Sequence, residues 1–248
     1  MSNYPERIVC LTEETTETLY ALEEDWRIVG ISGFTVRPPR ARKEKPKVSA
    51  FTSAKIDKIL ALEPDLVLGF SDIQADIAAA LIRAGVNVHV FNHRSVDEIL
   101  TMIQMLGGMI GCQQKAETYA AALKAQLVPV SHAGRRPRVY FEEWDDPMIS
   151  GIRWVSELIE IAGGDDCFGE LAACSLAKDR IIAAPQRIID AAPDIIIGSW
   201  CGKKFRPERV AAREGWQHVP AVVNQQIFEI KSPIILQPGP AALTEGLS

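Results

Sequence analysis

The chain lacks a basic excess, a long apolar run and any close pair of cysteines, and each shortage removes a class of function. Lysine and arginine number 27 against 32 aspartates and glutamates, a formal net charge of -5. A nucleic-acid binder needs cations to displace the counterions of phosphates, so no nucleic-acid partner is expected. No stretch of about 18 apolar residues occurs, and no membrane insertion is expected either. The five cysteines, Cys10, Cys112, Cys167, Cys174 and Cys201, are odd in number and form no CxxC. Neither a disulfide framework nor a zinc knuckle is implied. GxGxxG, Walker, GxSxG and HExxH patterns are all missing, so no catalytic residue is nominated. The opening residues run straight into an apolar strand, without the charged and apolar segments of a secretory signal. A cytoplasmic setting is therefore the expectation, and a periplasmic one the alternative if a signal peptide has been removed.

What the chain does have is a repeat. Asp57 to Gly69 reads DKILALEPDLVLG and Gln186 to Gly198 reads QRIIDAAPDIIIG, 129 positions later. Ile59/Ile188, Pro64/Pro193, Asp65/Asp194 and Gly69/Gly198 are identical. Each copy reads as a short amphipathic helix, a Pro-Asp turn and a buried strand that stops at glycine. A fainter echo pairs RIVC at Arg7 with RVYF at Arg138, 131 positions apart.

Around the repeat, short apolar runs alternate with helical patterns, which implies mainly parallel sheets covered by helices. Strands are expected at Ile8 to Leu11, Ile28 to Ile31, Leu66 to Gly69 and Val86 to Phe91, a four-strand first lobe. The stretch Gly33 to Lys47, with three prolines and six basic residues, is too irregular for regular structure. From Ser95 to Val130 the pattern is helical, broken near Gly107, Gly108 and Gly111. The expected organisation is α/β: an N-terminal lobe at 1–111, a single long connecting helix at 112–130, and a C-terminal lobe at 131–248 that begins at the loop 131–137. A ligand cleft is expected between the lobes.

Ligands of open parallel sheets gather at the carboxyl ends of strands. There the chain places Phe34, Phe70, Trp144, Trp200 and Phe205, five of its thirteen Trp and Phe residues. Such rings suit a large, partly planar ligand, and each reads also as a lid over its own lobe's core. Arg37, Arg40, Arg42, Arg94, Arg153, Lys203, Lys204 and Arg206 lie on or near the same loops. They would meet anionic groups of a ligand, or form a solvated surface cancelled by Glu13, Glu14, Glu142, Glu143, Asp145 and Asp146. Arg37, between Phe34 and Pro38-Pro39, is favoured among them. His93 and Cys201 read first as a loop histidine and a small buried residue, and only then as metal ligands, so no metal site is assigned.

RIVCLTEETTETLYAL, VGISGFTVRPPRA, IDKILALEPDLVLG and ISGIRWVSELIEIAGGDDCF together resemble the class III periplasmic binding proteins, over nearly the whole chain. That resemblance implies two α/β lobes joined by one long helix, with cobalamin, haem or a ferric siderophore bound for an ABC transporter. It is nearest to the cobalamin-binding proteins and carries ligand contact over to Phe34, Phe70, Trp144 and Trp200. It also implies that docking to an ABC permease uses one surface Glu on each lobe; those positions are Asp57 and Gln186 here, and since Gln186 cannot supply the charge, a relative that binds without delivering to a permease is expected. Arg37 stands where the family has an aromatic residue and favours a more anionic ligand. The resulting expectation is a non-catalytic binder of a bulky metal chelate, a corrinoid first, with Phe34, Arg37, Phe70, Trp144, Arg153, Trp200 and Phe205 on the ligand. The alternatives are a ferric-siderophore or haem binder, and an enzyme acting on such a chelate through the acidic run 142–146.

Overall fold

The computed structural model describes residues 3–131 and 133–247, so the outermost ends of both expected lobes and one position of the 131–137 loop lie outside the described residues. The chain divides into two compact units: the part up to His93 with Asp97–Ala125, and Arg94–Val96 with the part from Gln126 on.

In unit 1 the elements run β1 (Ile8–Cys10), α1 (Glu13–Ala21), β2 (Ile28–Ser32), α2 (Ala41–Glu44), β3 (Lys47–Ser49), α3 (Ile56–Leu60), β4 (Leu66–Phe70), α4 (Ala75–Arg83), β5 (Val88–Phe91), α5 (Val96–Met109) and α6 (Gln113–Gln126). The strands pair in parallel in the order β3-β2-β1-β4-β5. Ile8, Val9 and Cys10 of the central strand are fully buried, as a parallel sheet covered on both faces requires. The sheet has five strands rather than the expected four. The irregular stretch 33–47 holds α2 and runs into the edge strand β3, where only Val48 is buried, so no alternation marked it.

The helical run divides at the expected glycines into two helices of 14 residues each. They cross closely at Gly107, where a Cβ would sit 2.2 Å from that of Ala116. α6, whose span falls in the expected connector, therefore packs within unit 1.

Unit 2 runs β6 (Arg138–Asp145), β7 (Met148–Ser150), α7 (Arg153–Ile161), β8 (Asp165–Asp166), α8 (Gly169–Ala172), α9 (Gln186–Ala191), β9 (Ile195–Gly198), α10 (Pro207–Ala211), α11 (Pro220–Val223), β10 (Ile227–Glu229), α12 (Ser232–Ile235) and α13 (Pro240–Leu243). Its sheet is mixed. β10, β9 and β6 are parallel neighbours, β8 joins β6 in parallel, and β7 returns antiparallel from β6 as a hairpin.

The repeat is a structural one. Ile8 pairs with Leu66 in unit 1, and Val139 pairs with Ile195 in unit 2, so the register recurs at the two offsets seen in the sequence. Ile59 and Ile188 are both fully buried. The Pro-Asp turn shows what its aspartate does. Asp65 donates its N–H to the carbonyl of Arg7 (2.9 Å), and its carboxylate accepts the backbone N–H of Glu6 (2.7 Å) and of Arg7 (3.0 Å). Asp194 donates likewise to the carbonyl of Arg138 (2.8 Å) and accepts its N–H (2.7 Å), with Arg135 bound bidentately at 2.8 and 2.9 Å. Each aspartate thus clamps the start of the central strand of its own unit.

The core of unit 2 contains a buried charge pair. Glu142, with no exposed surface, accepts from Tyr140 Oη (2.9 Å), Trp200 Nε1 (3.0 Å) and both terminal nitrogens of Arg213 (2.5 and 2.9 Å). A buried carboxylate survives only when its lone pairs are filled, and four donors fill these.

Two stability experiments follow from these contacts. Asp194→Asn is expected to cost about 1–2 kcal/mol at pH 7 in urea unfolding. Arg135 first, and then the backbone N–H of Arg138, outweigh burial and hold the Asp194 carboxyl below its ordinary 3.8. Its contribution is therefore complete above that value and shrinks as the pH falls below it, so the difference between the wild type and the variant should narrow in acid. Arg213→Met should cost about 3–5 kcal/mol by stranding Glu142, and Glu142→Gln combined with Arg213→Met should cost clearly less.

Candidate functional site

The carboxyl ends of the unit 1 strands carry a braced loop and one exposed ring. Phe34, two residues beyond β2, is 62% exposed, and Ile73, beyond β4, is 47% exposed. Side chains from several elements hold the Phe34 loop. Arg42 donates to the carbonyls of Gly33 (2.9 Å) and Thr35 (3.1 Å). The N–H of Val36 donates to Glu13 Oε2 (2.8 Å), and Arg37 pairs with Glu17 (3.2 Å). Arg40 pairs with Asp25 (2.9 Å) and lies 4.6 Å over the ring of Tyr20, whose hydroxyl donates to Glu44. The peptide bond between Arg37 and Pro38 is cis. The segment expected to be irregular is therefore tied down along its length.

Phe70 closes β4 as a buried ring, 6% exposed, and meets the edge of His93 at 5.1 Å. His93 is 5% exposed and lies against Phe91 as well, so it is packed as part of this aromatic cluster. Beneath it, Gln74 accepts the N–H of Phe70 (3.0 Å) and donates to the carbonyls of Leu11 (3.3 Å) and Phe51 (2.9 Å). This fully buried strut joins three segments, and nothing in its sequence neighbourhood marks it.

Two acids at the start of α1 lie inside the unit. Glu13 is 4% exposed and Glu14 fully buried, and each has one oxygen, Oε1 of Glu13 and Oε2 of Glu14, without a hydrogen-bond partner. Burial pushes the Glu13 carboxyl up to about 8, and nearby Glu17 and Glu14 add to the rise against the pull of the Val36 N–H and Arg37. Burial likewise pushes Glu14 up to about 7, against its bond from Thr12. In the sequence these two read as charge that cancels the basic loop, whereas at neutral pH Glu13 is mostly neutral.

In unit 2 the aromatic residues gather round a cation. Trp200 and Phe205 are 3% and 2% exposed and meet edge to face at 4.9 Å. Phe205 covers Gly198 so closely that a Cβ there would fall 1.8 Å from the ring. Phe205, expected on a ligand, is packed inside the core, because the loop after β9 folds back over its own sheet. Trp144, half-buried on β6, donates its indole N–H to the carbonyl of Asp146 (2.9 Å). Lys203 Nζ lies 5.1 Å from the Trp144 ring and 5.0 Å from the Trp200 ring, and it binds both oxygens of Asp145 at 2.6 and 2.7 Å. Arg153 belongs to another element, the first turn of α7, where it pairs with Glu157 (2.9 Å). A cavity of about 410 Å³ adjoins the β6–β7 hairpin, lined by Met148, Ile182 and Trp216 among others.

The acidic run 142–146 is a ladder of ion pairs. Glu142 holds Arg213, Glu143 holds Arg180 (2.7 Å) and Asp145 holds Lys203. Committed carboxylates of this kind do not make an acid–base pair, and among the described residues no cluster of three metal-ligating side chains occurs. Cys201 is exposed, and the protein around it, then Glu143, raises its thiol above the ordinary range, which weakens it as a ligand. Among the described residues no helix is long and apolar enough to cross a membrane.

Residues 8–234 match the family model described as periplasmic binding protein. Over 98% of its length the chain is 24% identical to the uncharacterized ABC transporter substrate-binding lipoprotein YvrC of Bacillus subtilis, covering 78% of that protein. It is likewise 24% identical over 98% of its length to the vitamin B12-binding protein of Vibrio parahaemolyticus, covering 88% of it. Among solved structures, the apo form of the periplasmic heme-binding protein RhuT from Roseiflexus sp. RS-1 matches with a TM-score of 0.79 and 23% identity, over 98% of this chain and 96% of that one. Where these names give a location, it is a lipoprotein or a periplasmic protein, and the expected cytoplasmic setting draws no support from them. With the family model spanning most of the chain, and the duplicated strand units and braced strand-end loops in place, this chain belongs to the periplasmic binding protein family.

Proposed function

We propose that the chain is a non-catalytic solute-binding protein for a bulky metal chelate, with a corrinoid as the first candidate. The observation that carries this reading is Phe34: a phenyl ring 62% exposed, on a loop fixed by Arg42, Glu13 and Glu17. An exposed ring on a rigid support offers apolar area with little ordering cost on binding, which suits a large ligand with apolar faces. Phe70 closes β4 in unit 1, and Trp144 is a half-buried ring of unit 2. Trp200 supports it from within, and Lys203 replaces Arg153 as the cation nearest to the aromatic residues. Arg37 reaches an anionic group of the solute only by sharing Glu17.

A relative named as a vitamin B12-binding protein favours the corrinoid, and a solved relative named as heme-binding keeps haem as the second reading. The packing of His93 against Phe70 and Phe91 argues against that residue as an axial haem ligand. A ferric siderophore stands behind both. The enzymatic alternative is weakened by the pairing of the acidic run. Transfer to an ABC permease is part of the reading. We place its weaker half at unit 2, because Gln186 is uncharged and its amide is bound to Asp190 (2.7 Å), whereas Asp57 is an exposed acid on α3.

Cyanocobalamin, dicyanocobinamide, haemin and a set of ferric siderophores, each at tenfold excess, would be screened by thermal shift and visible spectroscopy. One of them, a corrinoid first, is expected to raise Tm and bind one to one without turnover. If none does, the reading is lost. Phe34→Ala is expected to weaken the successful ligand about tenfold at unchanged Tm of the free protein, whereas Phe205→Ala should lower Tm by opening the core over Gly198.

A further inference from the structure

The N–H of Val36 is the link between the Phe34 loop and the interior of unit 1. It donates to Glu13 Oε2 at 2.8 Å across 23 residues of sequence. Val36 follows Phe34 by two positions, and Arg37, the next residue, pairs with Glu17 on the same helix. The other side of the loop is held by Arg42 through the carbonyls of Gly33 and Thr35. Glu13 therefore lies directly under the segment that carries the exposed ring. Its second oxygen is buried without a partner, so the carboxyl gains only one hydrogen bond in return for its burial.

We propose that Glu13 is the positioning residue of the Phe34 loop and that its proton seats the loop, so that the ring is held in acid and released as the pH rises. The proposal deepens the reading above, since it concerns how the solute-contacting ring is presented.

The direction follows from linkage. With the loop seated, Glu13 lies in low dielectric and titrates near 8; with the loop lifted it meets water and returns towards its ordinary 4.5. Between those values the lifted loop has released a proton that the seated loop keeps, so each rise in pH favours lifting. The charged groups facing Glu13 are few. Glu14 and Glu17 on α1 raise it further, and Arg37 on the loop opposes them. From α6, Tyr119 senses Glu17, but burial pushes its hydroxyl up to about 12, so it stays neutral through this range. Arg42, on the loop itself, is bound to the carbonyls of Gly33 and Thr35 rather than to Glu13.

The test is hydrogen–deuterium exchange of the peptide covering residues 33–39 in the whole protein without ligand, from pH 5.5 to 9, corrected for intrinsic exchange. In the wild type, protection is expected to fall with rising pH by up to about tenfold per unit below pH 8. Glu13→Gln keeps an acceptor for Val36 but cannot ionise, and should match the acid protection at every pH. Glu13→Leu removes the acceptor and should be less protected than Glu13→Gln throughout. Glu14→Gln, whose residue contacts Thr12 rather than the loop, should keep the fall. A flat wild-type profile, or a fall retained by Glu13→Gln, overturns the proposal. A solute screen without binding would overturn the proposed function and leave this result standing, because the exchange is read without solute.

Discussion

A strand at the centre of a parallel sheet needs its first backbone N–H groups satisfied before the ladder with its neighbours begins, since a buried donor without a partner costs more than a made bond returns. Here an aspartate at the head of the adjacent strand meets that need by giving its own N–H to the central strand and taking one back on its carboxylate. Asp65 does this for Arg7, and Asp194 does it for Arg138. A two-way clamp leaves no freedom to slide by a residue. It fixes Ile8 opposite Leu66 and Val139 opposite Ile195, and every residue that reaches the carboxyl end of either sheet follows from that alignment.

From the register comes the character of each site face. In unit 1 the strands end at buried acids and at a loop whose Arg37 and Arg40 pair with acids and whose Arg42 holds backbone carbonyls, which leaves the Phe34 ring outward as the main apolar feature. In unit 2 the same strand ends lead into a loop that doubles back, so Trp200 and Phe205 become core and Lys203 is trapped between two indoles and Asp145. The two faces thus offer different chemistry from a shared plan: one presents an aromatic surface, the other a cation over aromatic rings.

The duplicated helix-turn-strand unit was legible because its signal is local: a Pro-Asp turn between an amphipathic helix and an apolar run. The strand ends were legible for the same reason, and with them the neighbourhood of Phe34, Phe70, Trp144 and Trp200. What lay beyond reach was the fate of each side chain after the strand ended. Whether Phe205 covers Gly198 or faces solvent depends on the path of six intervening residues, and no periodicity records that path. The partnership of Glu142 with Arg213 spans 71 positions, so the acidic run could be read equally as a catalytic set or as a ladder. β3 was missed because three residues with one buried valine carry too little pattern, and Gln74 because a buried amide looks like any surface glutamine until its partners are known.

The contrast between Asp194 and Glu13 shows how the same functional group is used in opposite ways. Asp194 stands where a guanidinium and a backbone N–H converge, and its carboxyl is held below the ordinary range, so it keeps its charge and its clamp through neutral and mildly acidic pH. Glu13 begins a helix, a position that favours negative charge, yet it has one N–H for two oxygens and two acids beside it. Desolvation prevails over the helix terminus there, because the terminus contributes about 0.3–1 kcal/mol and the burial of an incompletely paired carboxylate costs several. A structural clamp that must not move is built from a carboxylate with all its donors. An acid left short of donors gives the segment above it a stability that depends on a proton, and that segment is the one bearing the exposed ring.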